Sequence, residues 1–196
     1  GGLESLERDL STTEGDDALG GSSGRSPGRL IPVVADHADL DSVRDAALRI
    51  RGLCRDGGVD VLVNNAGISY NFPDDADVDL PGETAQGHDL LFGINYLSHV
   101  LLVELLRPCL EAAESGARIV QVTSGYHWMV DGSMLIPDGM GKDGRGPLAA
   151  RGRGKGRIQR HARRAYANSK LAQIWHARSL ARGSGRGAGT TTTTTT

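Results

Sequence analysis

Two short β-branched runs on either side of one long apolar stretch constrain this chain most. Val61-Leu62-Val63 leads into Asn64-Asn65-Ala66-Gly67, and Ile119-Val120-Gln121-Val122 leads into Thr123-Ser124. Between them, Leu90–Leu106 is apolar on most sides. Short apolar runs with small or polar exits read as buried strands of a parallel sheet. A segment apolar nearly all round reads as a helix buried against that sheet. The pattern predicts an α/β fold, whose ligands bind outside the C-terminal ends of the strands.

The residues at those ends carry the candidate chemistry. Ala66 and Gly67 have little or no side chain, so a flat ligand could approach the backbone closely, although Asn and Gly also make ordinary turns. Ser124 has two readings, a turn or helix cap and a functional hydroxyl. Asn95 is the odd amide inside Leu90–Leu106. It is either a helix-bending residue or a member of a polar network, because a buried amide must find partners. Further on, Tyr166-Ala-Asn-Ser-Lys170 opens an apolar helical stretch. Residues four apart share one helix face, so Lys170 can lie beside the Tyr166 phenol, where an ammonium favours the phenolate and prepares it for proton exchange.

In this order, the Asn-Asn-Ala-Gly strand end, the helical Asn95, Ser124 after the next strand and Tyr166-x-x-x-Lys170 resemble the motifs of the short-chain dehydrogenase/reductase family. Thr84–His99 is similar to the helix-entry segment of its retinol-dehydrogenase-like branch, and Ser124-Gly-Tyr-His127 to that branch's Ser-x-x-His. The resemblance covers roughly residues 30–131 and 164–182. It implies a doubly wound, Rossmann-like parallel sheet and hydride transfer between NADP (or NAD) and a hydrophobic alcohol, aldehyde or ketone. Tyr166 would be the general acid–base. Lys170 would tune it and hold the nicotinamide ribose, Ser124 would orient the substrate oxygen, and Asn95 would hold a relay water. Asn65, Ala66 and Gly67 would line the adenine-ribose side of the cofactor, and Asn64 would brace neighbouring strands. Asp36, at the end of an expected strand Leu30–Ala35, would meet the adenine, or else is a turn acid. The next family position is usually aliphatic; here it is His37. The family also implies a homodimer through Leu90–Leu106 and Tyr166–Leu180, although packing of these helices on their own sheet explains their apolar surface equally.

Three departures stand out. The family's glycine-rich phosphate loop is absent, since Gly20-Gly21-Ser-Ser-Gly24 has linker composition within 11–29. Leu3–Leu10 reads as the helix before the Leu30–Ala35 strand, so the expectation is a partial domain, 1–182, lacking the family's first two strands and its C-terminal strands. Residues 183–196, ending in a run of threonines, read as a disordered low-complexity tail. Residues 132–164 form a basic Arg/Gly-rich insert, read as a solvated loop, with single-stranded RNA as the other candidate occupant.

Composition adds little. A net charge of −2 gives no global case for nucleic acid or membrane. Cys54 and Cys109 make no disulfide framework or metal site. Asn95, Ser98, His99 and Glu104 interrupt Leu90–Leu106, which argues against a transmembrane span. Localisation is cytoplasmic by default. The alternative to an active enzyme is a non-catalytic fragment or pseudoenzyme lacking the phosphate-binding loop.

Overall fold

The computed structural model describes residues 29–54, 57–69, 82–135, 155–184 and 191–195. The chain divides into two units, Gly1–Pro32 and Val33–Thr196. Of the first only residues 29–32 are described, without regular structure. The candidate helix Leu3–Leu10, the 11–28 part of the linker and most of the basic insert lie outside the described residues.

In the second unit, helix α1 (Leu40–Leu53) begins at Asp39, whose side chain accepts from the Asp41 amide as an N-cap. Strand β1 (Val61–Asn64) follows, then the long helix α2 (Leu90–Glu111) and strand β2 (Arg118–Val122). Two 3₁₀ turns, Gly125–Met129 and Ser133–Leu135, lead towards helix α3 (Lys155–Ser184), and strand β3 (Thr191–Thr195) ends the series. The strands form one parallel sheet in the order β1-β2-β3, with Asn64 opposite Gln121 and Val120 opposite Thr193. This is the α/β class the strand–helix–strand pattern predicts.

The core lies on one face of the sheet. Ala47 of α1, Val103, Leu106 and Leu110 of α2, and Ile119 of β2 are buried together, with Leu62 and Leu180 packed against them. The alternate residues Val61 and Val63 of β1 point the other way and are 55% and 54% exposed. A parallel strand usually has helices on both faces; among the described residues only one face is covered. A second cluster joins Leu91 of α2 to Ala162 and Ala165 of α3, with Ile68, Phe92 and Tyr166 around it. Alanines on that face let the two helices approach closely.

Helix α2 is long and apolar enough to cross a bilayer by length and composition. Here one side of it packs against the rest of the fold. Its Asn95, Ser98 and His99 are all at or below 1% exposure and are hydrogen-bonded within the chain. Its entry is held by tight packing, since a Cβ at Gly93 would fall 2.2 Å from Cγ2 of Thr84.

Four expectations are corrected. Residues 30–35 form no strand; the segment is without regular structure, and Val34 is 67% exposed. A strand needs a neighbour's backbone groups, and among the described residues β1, the candidate neighbour, pairs with β2 alone. The threonine run is not a disordered tail, because Thr191–Thr195 adds to the edge of β2. Threonine is β-branched and favours strands, and the edge of β2 supplies unpaired ladder groups. The Tyr166 helix starts at Lys155, inside the supposed loop insert, where a Pro-free Arg-, Gln- and Ala-containing run suits a helix. Asn64 is 2% exposed, yet neither side-chain polar atom finds a partner among the described residues, so it braces no strand described here.

Candidate active site

The C-terminal ends of β1 and β2 and the middle of α3 meet at Lys170. Its Nζ donates to the Val122 carbonyl oxygen at 3.2 Å and lies 5.6 Å from the centre of the Tyr166 ring. Burial pushes the Lys170 ammonium below its usual range. Thr123 Oγ1 donates to the Lys170 carbonyl at 3.0 Å, tying the end of β2 to the turn of α3 that carries both residues.

Asn95 occupies a π-helical turn, Gly93–Leu97, within α2. Such turns widen the backbone ladder and recur at functional sites. The Asn95 Nδ2 donates to Ile68 O at 2.9 Å and to Ser169 Oγ at 3.2 Å, while its Oδ1 accepts from the Ile68 amide at 2.8 Å. Ser169 Oγ in turn donates to the Tyr166 carbonyl at 2.7 Å. Asn95 therefore clamps the loop after β1 to α3. Both amide hydrogens are committed, so only acceptor capacity is left for a water. Of its two readings, the polar network is realised, and the helix is also locally widened.

Gly67 follows β1 and faces this clamp. A Cβ there would stand 3.1 Å from Asn95 Oδ1 and 3.5 Å from Lys170 Nζ. The bare backbone leaves open the space in front of the lysine that a side chain would fill. Asn65 and Ala66 lie in the same loop, with Asn65 exposed.

Ser124 caps the first 3₁₀ turn by accepting from the Tyr126 amide at 3.4 Å. His127 Nδ1 donates to the Ser124 carbonyl at 2.6 Å, which accounts locally for the Ser-x-x-His spacing. The Tyr126 ring stands edge-on to Tyr166, centres 5.7 Å apart. The next residues, Trp128 and Met129, are 83% and 62% exposed.

Asp36 sits apart from this group. Its Oδ1 accepts from the Ala38 amide at 2.8 Å, and its carbonyl accepts from the Asp39 amide, a turn before α1. His37 beside it is turned inward, donating from Nδ1 to Ser98 Oγ at 2.8 Å. Burial lowers its pKa against the opposing pull of Asp36.

Sequence reasoning assigned no role to Ile68, Ser169 or Tyr126. Ser169 was within reach, since it adjoins Lys170 on a helix already singled out. Ile68 takes part only through its backbone, which no side-chain pattern reveals.

A model of the family described as short chain dehydrogenase matches residues 17–137. The short-chain dehydrogenase/reductase prx1 of Penicillium rubens is 32% identical over 152 residues, covering 76% of this chain and 37% of that protein. The polyprenol dehydrogenase of Mus musculus is 33% identical over 150 residues, 75% of this chain and 37% of that protein. This chain thus spans well under half the length of these curated relatives. Among solved structures, NADPH-bound carbonyl reductase from chicken fatty liver shares the fold at a TM-score of 0.57, with 19% identity, 97% of this chain and 61% of that one covered. A short chain dehydrogenase from Burkholderia cenocepacia in complex with NADP matches at 25% identity and a TM-score of 0.50, over 82% of this chain and 49% of that one. The family match covers more than half of this chain and agrees with the parallel sheet and the order of its motifs; the chain belongs to the short-chain dehydrogenase family.

Proposed function

We propose that the native protein is an oxidoreductase that transfers a hydride between NADP (or NAD) and a hydrophobic alcohol, aldehyde or ketone, with Tyr166 as general acid–base. The observation that carries this is the placement of Lys170 Nζ 5.6 Å from the Tyr166 ring centre, in front of the side-chain-free Gly67. The cofactor's nicotinamide–ribose end fits that arrangement, because a cation, a phenol and bare backbone face one space. When bound, the nicotinamide supplies or accepts the hydride.

The chain's own residues do the rest. Tyr166 Oη gives a proton to the carbonyl oxygen in reduction or takes it from the hydroxyl in oxidation. Lys170 favours the phenolate and holds ribose hydroxyls. Its burial favours loss of the ammonium proton, which suits a group that passes protons on. Ser124 Oγ orients the substrate oxygen, and Asn95 holds the loop carrying Gly67 against α3. Asp36, Asn65 and Ala66 are read as the adenine-side wall.

Support for an apolar substrate comes from Trp128 and Met129, exposed on the turn that Ser124 caps. A relative named polyprenol dehydrogenase supports the same class, and the neighbour in complex with NADP supports the cofactor. The test is oxidation of NADPH or NADH by the full-length protein with retinal, a long-chain isoprenoid aldehyde and a short aldehyde. Turnover of the apolar substrates that is lost in Tyr166→Phe supports the reading; turnover that survives in Tyr166→Phe refutes it.

A further inference from the structure

Helices α2 and α3 are joined by two polar rungs, one turn apart on each helix. The first is Asn95 to Ser169 at 3.2 Å. The second joins His99 and Gln173, whose Nε2 donates to His99 Nδ1 at 3.2 Å. The spacing is four residues on both sides, Asn95 to His99 and Ser169 to Gln173, so each pair lines one helix face. His99 and Gln173 are each 1% exposed.

The second rung is expensive as a packing device. With Nδ1 accepting, the His99 ring carries its proton on Nε2, and neither that atom nor Gln173 Oε1 has a partner among the described residues. Orphaned buried polar groups cost more than one neutral hydrogen bond returns, and an apolar pair of similar size would hold the helices together more cheaply. What the polar pair adds is direction: a hydrogen bond fixes where along α3 the helix α2 sits, whereas apolar contact tolerates sliding. A second ring also packs against His99. His37 stands edge-on to it at 5.5 Å, and His37 is itself bonded to Ser98.

We propose that His99 is a positioning residue for the reaction centre: its bond with Gln173 fixes the register of α2 on α3, and so the geometry in which Asn95 holds Ile68 and Gly67 before Lys170. The catalytic consequence rests on the function proposed above; the register itself does not.

Two measurements on the full-length protein separate these. The first is hydrogen exchange of the Ile68 amide, which donates to Asn95 Oδ1. The Val43 amide of α1, bonded to Asp39 O, serves as the reference. His99→Leu is expected to lower Ile68 protection about tenfold or more with Val43 unchanged, because a local opening is coupled to the lost rung. His99→Asn, which can place an acceptor near the Nδ1 position, is expected to restore protection to within about threefold. Should His99→Leu fail to fold, Gln173→Leu removes the same bond from the other helix. Ile68 protection that stays unchanged, or that falls in step with Val43, overturns the proposal. The second measurement is turnover with NADPH and retinal. His99→Leu should reduce kcat about tenfold at nearly constant cofactor KM, with rescue in His99→Asn. A kcat equal to wild type overturns the proposed role in the reaction. If instead wild-type turnover is insensitive to Tyr166→Phe, the functional reading fails, while the exchange result still decides the register.

Discussion

Lys170 and Tyr166 occupy one face of α3, the Nζ 5.6 Å from the ring centre and bonded to the carbonyl of Val122 at the end of β2. Lys170→Met keeps the stem but removes the cation. It is expected to weaken cofactor binding about tenfold and to reduce kcat about 10²-fold, since in the proposed function the positioned charge serves both tasks. Calorimetric Kd and steady-state kcat, measured separately, check the two effects. A change in kcat alone would remove Lys170 from cofactor binding.

Glycine substitutions should separate close packing from open space. Gly93→Ala drives a methyl into Thr84, 2.2 Å away, and is expected to cost about 1–3 kcal/mol. Gly52→Ala, near the end of α1 with nothing within 4 Å of the new Cβ, should instead stabilise by up to about 1 kcal/mol. Gly67→Ala, at 3.1 Å from Asn95 Oδ1 and 3.5 Å from Lys170 Nζ, crowds the Asn95 clamp and should cost less than Gly93→Ala, up to about 1 kcal/mol, while weakening the cofactor about tenfold. Thermal melts and cofactor titration distinguish the three.

Acid should destabilise the fold through its interior histidines. Burial, aided by His37, Lys170 and His176, holds His99 at about 3 against an ordinary 6.5; burial also lowers His37 and His176. A folded-state pKa below the unfolded one means that stability is complete above about pH 6.5 and is lost as pH falls towards 3. The limiting slope is about 1.4 kcal/mol per pH unit for each such histidine. Denaturant midpoints at pH 7.5, 6 and 5 should fall in that order, and less steeply in His99→Asn. A midpoint independent of pH between 7.5 and 5 would contradict the buried neutral ring.

Strand β3 can be tested at its backbone. Proline cannot donate to a ladder. Of Thr192→Pro and Thr193→Pro, which face Ile119 and Val120, the one whose amide pairs with β2 should cost about 1–3 kcal/mol. Neutral effects at both positions would remove the threonines from the sheet.

The parallel pair β1–β2 and the buried helix between them were legible because burial on the sheet leaves β-branched runs and an apolar stretch in the sequence. Tyr166 and Lys170 were legible because helical spacing alone brings them together. The segment 30–35 was misread for the converse reason: its composition suits a strand, but strand formation depends on a neighbouring backbone that composition does not encode. The threonine run was misread because low complexity says nothing about an available sheet edge. The Asn95 clamp was half legible. A buried amide announces that it needs partners, but Ile68 meets it through main-chain atoms, and only the fold brings the two together.

Tyr166→Phe in the full-length protein decides whether Tyr166 moves the proton. The substitution removes only the ionisable oxygen and keeps the ring that stands against Tyr126. The expected result is a fall in kcat of about 10²–10⁴-fold with cofactor Kd changed less than about twofold. A variant that retains more than about a tenth of wild-type kcat would contradict the account.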